Sequence, residues 1–197
     1  MIAEFSKLDV TTIYEAVGEK YILDPFIKPI ASDMRFCGRA FTVRNKMSDS
    51  FPILKALEMA KPGEVIVADA GDSIFSTVWG GSSSRVAKMK NLAGFLTNGA
   101  VRDYREIVNI GLPVFSRGLY AKGTKKQFFG EYKIPLQIAG VEVLNGDIII
   151  GDIDGVVVVP QKREKELLTK AQQQMQKENE ILNRINQGES LLEILGL

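Results

Sequence analysis

The 197-residue chain contains no histidine. That absence removes Ser-His-Asp and Cys-His nucleophilic schemes and the side chain most often used to bind metals. Cysteine is nearly absent too. Cys37 is the single one, so no internal disulfide forms and a zinc site is a poor fit. Cys37 lies between Phe36 and Gly38 and reads as a core residue rather than a reactive thiol. A reducing, cytoplasmic setting suits it. Charge of one sign is also lacking: 25 Lys and Arg stand against 24 Asp and Glu, a formal net charge of +1. No field-driven affinity for nucleic acid or membrane is expected. No apolar run approaches the length of a membrane span. The opening MIAEFSKLDV has an early acid and no apolar h-region, so no secretory signal is expected. The chemistry left is that of carboxylate, lysine, arginine, tyrosine, hydroxyl and backbone. A metal in such a protein is a hard, oxygen-liking ion, Mg²⁺ or Mn²⁺.

Hydrophobic residues make up 45% of the chain and charged residues 25%, enough for one domain with a sizeable core. Leu8 to Val17 predicts an amphipathic helix, capped by Asp9 or Thr11 and stopped by Gly18. Arg39 to Arg44 alternates as a strand does. Phe51 to Ala60 has helical spacing and ends at Pro62-Gly63. Glu64 to Asp69 reads as a buried strand. Trp79 to Ser84 reads as a flexible turn, followed by a helix from Arg85 to Lys90 with apolar positions Val86, Ala87 and Met89. Ala93 to Thr97 is a predicted strand, Asn98-Gly99 a turn, Tyr104 to Ile110 a helix ended by Gly111, and Leu112 to Ser116 a strand. Gly118 to Pro135 looks irregular. Three close strands follow, at Val141 to Leu144, Asp147 to Gly151 and Val156 to Val159, with turns at Asn145-Gly146 and Asp154-Gly155. A long polar helix runs from Lys162 to about Asn186. It reads either as a surface helix packed along one stripe or as a subunit contact. Leu191 to Leu197 is an apolar tail expected to dock. No repeat or linker divides the chain, and the alternation of elements implies a mixed sheet layered with helices.

The chemistry concentrates between Gly80 and Asp103. Gly80 and Gly81 permit close ligand approach, Ser82 to Ser84 are good helix caps, and free N–H groups at a helix start bind anions. Asn98 to Asp103 follows a predicted strand, beyond whose carboxyl end ligands gather in open α/β sheets. Arg102 offers a planar donor fork for a carboxylate, and Asp103 a hard oxygen ligand. Glu106, one helical turn further on, reads as a group that supports the metal's ligands from outside or simply as a first-turn acid. The turn-helix-strand-turn between Gly81 and Arg102 allows both ends to meet at one sheet edge. Elsewhere, Lys122, Lys125 and Lys126 read as a solvated loop, Asp152 and Asp154 as turn formers, and Trp79 as a packing residue.

The run WGGSSSRVAKMKNLAGFLTNGAVRD, with GRAFTV, KPGEVIVAD, LPVFSRG and GDIDGVVVVP, resembles the RraA-like family over most of the chain. That family includes 4-hydroxy-4-methyl-2-oxoglutarate aldolases and regulators of ribonuclease activity. The resemblance implies a layered α/β/β/α sandwich of the swivelling phosphohistidine-domain type over residues 1–197, assembled as a trimer or a hexamer of two trimers. It implies a divalent-metal-dependent lyase that releases pyruvate from 4-hydroxy-2-oxo acids or decarboxylates oxaloacetate. Arg102 would bind the pyruvate moiety, Asp103 the metal, and the turn Gly80-Gly81-Ser82-Ser83 the substrate carboxylate. The alternative it carries is a non-catalytic protein-binding regulator. One departure stands out: active family members usually have an acid where this chain has Gly81. Asp69, Asp72, Asp49 or a carboxylate of a neighbouring subunit are the expected stand-ins.

Overall fold

The computed structural model describes residues 1–45, 49–127 and 130–197. Its centre is a mixed sheet in the spatial order β1 (Lys28–Pro29), β7 (Val114–Ser116), β5 (Gly94–Thr97), β3 (Glu64–Asp69), β2 (Phe36–Arg44), β12 (Ile148–Gly151) and β13 (Val156–Val159), with β9 (Glu131–Tyr132) pairing on the end of β2. The strands β2, β3, β5 and β7 are parallel, while β12 is antiparallel to both β2 and β13. Side chains alternate across this sheet as strand geometry requires. Ile149, Val156 and Val158 enter a large core, and Ile148, Ile150, Val157 and Val159 a smaller one.

The smaller core is closed by α1 (Ile2–Phe5), α2 (Val10–Val17) and α6 (Glu164–Asn186), through Phe5, Ile13, Leu167 and Ala171 among others. Across the sheet, α3 (Phe51–Met59), α4 (Gly81–Met89) and α5 (Tyr104–Ile110) contribute Ile53, Ala87 and Ile107 to the large core. Two further sheets complete the fold, the hairpin β10 (Leu136–Ile138)–β11 (Val141–Val143) and a small parallel sheet β4 (Thr77–Trp79)–β6 (Ala100–Val101)–β8 (Gly118–Leu119). This is the mixed, layered α/β class that the sequence implies.

The small sheet explains where the site sits. The chain of β3, β5 and β7 leaves the main sheet at its carboxyl edge and re-pairs as β4, β6 and β8. Asn98-Gly99, expected as a turn, is the bend between β5 and β6. The buried Asn98 amide accepts from Ala70 N–H at 2.6 Å and donates to Asp69 at 2.9 Å. A β-carbon on Gly99 would press to 2.8 Å from that of Ala70.

Several expectations need correction. The helix after Trp79 begins at Gly81, not Arg85, and Trp79 belongs to β4. Of its three predicted apolar positions only Ala87 is buried; Val86 and Met89 face outward. Val141–Val143 pairs with Leu136–Ile138 rather than with its sequence successors. That hairpin turns at Ala139-Gly140, both at positive φ, and alanine there gives no turn signal. Helix α2 starts at Val10 with Asp9 at the cap position as expected, but the Asp9 side chain makes no capping bond and the Val10 N–H donates instead to Asp152 at 2.8 Å. Asp152 also accepts from Asp154 N–H, as expected of a turn former. The tail, α7 (Leu191–Leu195), does not bury itself: Leu192 is 61% and Leu197 85% exposed.

Candidate functional site

Two helix starts meet over the small sheet. On one side, β4 leads through Gly80 into α4. Trp79 is buried, its ring stacked on Phe95 with centroids 3.9 Å apart. Its indole N–H donates to the Ser84 hydroxyl at 2.7 Å. Ser84, expected as a cap, is therefore a buried acceptor that locks the first turn of α4 to β4. The cap position is Gly80, in an extended conformation that any residue adopts. What demands glycine there is space: a β-carbon on Gly80 would lie 2.5 Å from Asp103 Oδ2.

On the other side, β6 leads into α5. Arg102 N–H donates to the Trp79 carbonyl at 3.1 Å, tying the two segments together. Asp103 follows with φ 60° and ψ 40°, a left-handed conformation at the cap position of α5. Aspartate tolerates this region better than most residues, yet it still costs about 1–3 kcal/mol and such strain clusters at functional sites. The Asp103 carboxylate does not cap its own helix. It turns across to accept the Gly81 N–H at 3.1 Å, with Arg102 Nε 3.6 Å away. With Gly81 N–H engaged, Ser82 and Ser83 supply the remaining first-turn donors of α4, which have no intrahelical acceptor.

Gly80, Ser82, Ser83, Arg102 and Asp103 line one cavity of about 290 Å³. Gly81 lies beside it, not in its wall. The far wall is the loop 122–127, which the sequence reads as solvated. Lys126, Thr124 and Gly123 line the cavity. Both the main-chain N–H and the hydroxyl of Thr77 donate to the Lys122 carbonyl, at 2.9 and 3.0 Å. The Asp49 carboxylate accepts from Gln127 N–H at 3.2 Å. Gly123 makes room for Arg102: a β-carbon there would lie 2.8 Å from Nη1. No pattern in the sequence marks this wall, because it is made by long-range pairing.

None of the three stand-in acids in this chain reaches the cavity. Asp69 accepts from Gly71 N–H and the Asn98 amide. Asp72 pairs with Arg117 at 2.9 Å. Asp49 is buried and bonded to the main chain of Phe51 and Gln127. Another acid comes forward instead. A β-carbon on Gly81 would overlap the carboxyl group of Glu106, whose Cγ lies 2.9 Å from that point. Glu106 thus fills the volume that a side chain at position 81 would take. Asp103 and Glu106 lie against consecutive glycines, Gly80 and Gly81. Among the described residues no cluster of three or more His, Cys, Asp or Glu is present. An all-oxygen pair of carboxylates fits Mg²⁺ or Mn²⁺, which keep several waters and take one or two carboxylates from the protein.

A family model described as Aldolase/RraA, RraA-like, matches residues 9–158. The chain belongs to the RraA-like family. A Halalkalibacterium halodurans protein provisionally named 4-hydroxy-4-methyl-2-oxoglutarate aldolase is 35% identical over 170 residues, covering 86% of this chain and 81% of that one. The crystal structure of an uncharacterized protein from Pseudomonas syringae pv. tomato superposes with a TM-score of 0.89 at 28% identity, over 98% of this chain and 91% of the other. The structure of the RNA-processing inhibitor RraA from Thermus thermophilis gives 0.71 at 32% identity, over 77% and 92%. RraA-like relatives are thus named for two kinds of activity, an aldolase and an inhibitor. No helix among the described residues is long and apolar enough to cross a membrane.

Proposed function

We propose that this chain is a divalent-metal-dependent lyase of short 2-oxo acids, releasing pyruvate from a 4-hydroxy-2-oxo acid or decarboxylating oxaloacetate. One observation carries the reading: Arg102, Asp103, Ser82 and Ser83 line one cavity, with Glu106 against Gly81 beside it. The aldolase name of the 35% identical relative agrees with it.

The amides of Ser82 and Ser83, at the positive end of α4, hold the substrate carboxylate. In retro-aldol cleavage the hydroxyl on carbon 4 gives up its proton, the bond between carbons 3 and 4 breaks, and its electron pair moves onto the keto oxygen. Decarboxylation of oxaloacetate leaves the same charge on the same oxygen. The Arg102 guanidinium faces that oxygen and steadies it, a role for which a fixed donor is worth about 10²–10³ in rate. Glu106, directly or through a water, receives the hydroxyl proton and returns a proton to carbon 3 of the enolate, which completes pyruvate. Leu54, Val78 and Trp79 form the apolar part of the wall and limit water at the reacting carbons. Asp103, with Glu106 nearby, would hold the metal, which when bound supplies Lewis-acid polarisation of the keto group.

The test is pyruvate release from oxaloacetate and from 4-hydroxy-2-oxo acids with Mg²⁺ or Mn²⁺. Turnover that chelation removes and Asp103→Ala abolishes supports the reading. No turnover on a broad panel of 2-oxo acids rejects it. A second reading, a partner-binding regulator, draws on Gly81 in place of an acid and on the likeness to the Thermus inhibitor. It predicts a stable protein complex that survives Arg102→Ala and no metal-dependent turnover.

A further inference from the structure

The helices α4 and α5 start side by side, and each brings two residues about one turn apart to the junction: Gly81 and Arg85 from α4, Asp103 and Glu106 from α5. The two carboxylates are held differently. Asp103 is fixed by a main-chain N–H, that of Gly81. Glu106 is fixed by a side chain: Arg85 Nη2 donates to its Oε1 at 3.1 Å. Its other oxygen, Oε2, is the atom nearest the β-carbon position of Gly81. The pairing is one-pronged, so one oxygen is held by Arg85 and the other lies against Gly81, beside the cavity.

We infer that Arg85 is the positioning residue for Glu106, and that it sets which way the second carboxylate of the metal site faces. The inference rests on the reading of Glu106 given above. A glutamate has three rotatable side-chain bonds, and the Glu106 side chain is 44% exposed; without a partner it is free to swing into water. The neighbouring cation on α4, Lys88, cannot take over, because it donates to the Gly111 carbonyl at the far end of α5. A purely structural role is a poor explanation. Arg85 is 63% exposed, and exposed ion pairs add little to stability. Groups that order a metal's surroundings from outside its ligands have a larger effect, typically about 10–100-fold in metal affinity when removed.

The experiment is calorimetric titration of Mn²⁺ alone into the full chain, with thermal unfolding recorded for each variant. Arg85→Met and Glu106→Gln should each weaken Mn²⁺ binding by about tenfold, the low end of that range. The double variant should be no weaker than Glu106→Gln alone, because Arg85 acts only through Glu106. Arg85→Lys should recover most of the loss, and unfolding should barely move. Arg85→Met binding like the wild type while Glu106→Gln is weakened overturns this inference and leaves the reading of Glu106 intact. Additive losses in the double variant also overturn it. Glu106→Gln binding like the wild type, or a wild type that binds no Mn²⁺, overturns the underlying reading and this inference with it.

Discussion

The carboxyl group of Glu106 occupies the space that a β-carbon on Gly81 would need. An acid one helix away thus lies where a side chain at position 81 would start. Substituting Gly81 should therefore act through Glu106. In Gly81→Ala the new methyl meets the end of a flexible side chain, so Glu106 moves aside instead of the backbone. Alanine in a first helical turn is worth up to about 1 kcal/mol over glycine, which offsets the crowding. The expected outcome is a near-unchanged unfolding midpoint with turnover lowered to the level of Glu106→Gln, about 10²–10⁴-fold for a lost general base. Steady-state kinetics beside thermal unfolding checks it.

Arg102→Lys keeps the charge and loses the planar fork. Gly123 leaves room for a guanidinium beside the loop 122–127, and an ammonium group does not fill that room or present two donors. Turnover should fall by about 10²–10³, as for a lost transition-state donor. The fall should appear in kcat more than in KM. A loss confined to KM would mean that Arg102 serves binding alone.

Much of this was legible in the sequence, for physical reasons. Helix α2 and strand β2 carry their own periodicity, β3 and β5 read as short buried runs, and Gly18 and Gly111 end helices at positive φ. Arg102 and Asp103 stood out as a charged pair after a buried strand. What the sequence hid depends on distant partners. For Glu106 the sequence leaves two readings open, a site group or a first-turn acid, and only its place against Gly81 favours the first. Lys126 is exposed, as the sequence reads it, but that it also lines the cavity depends on Asp49 and Thr77 anchoring the loop 122–127. Ser84 looks like a cap until Trp79 claims its hydroxyl.

That last bond gives a stability prediction. Ser84→Ala strands a buried indole N–H, which costs about 1–3 kcal/mol. Trp79 is the chain's one tryptophan, so its fluorescence follows denaturant unfolding directly. Ser84→Thr, which keeps the hydroxyl, should lose less.

Cys37 is partly buried in the smaller core, and burial pushes its thiol up to about 11. The sign follows from the raised value: the protonated thiol is favoured in the folded chain, so any stability tied to it is complete below the unfolded thiol's pKa and fades as pH rises toward 11. At pH 8 the folded chain should react slowly with a thiol reagent, and the unfolded chain fast. Equal rates would contradict this.

Leu191, Leu192, Leu195 and Leu197 project from the end of the chain at 51% to 85% exposure, more apolar surface than a monomer comfortably shows to water. We propose that copies of the chain associate through this tail; the trimer or hexamer of two trimers is what the family resemblance implies. Light scattering should give the assembled mass for the wild type and a smaller one for Leu192→Asp.

The most direct measurement is a crystal soaked with Mn²⁺ and pyruvate, read by anomalous scattering. The account predicts one manganese peak at bonding distance from the Asp103 carboxylate, with Glu106 facing its water shell and Arg102 on the pyruvate keto oxygen. A peak elsewhere, or pyruvate bound away from Arg102, would contradict it.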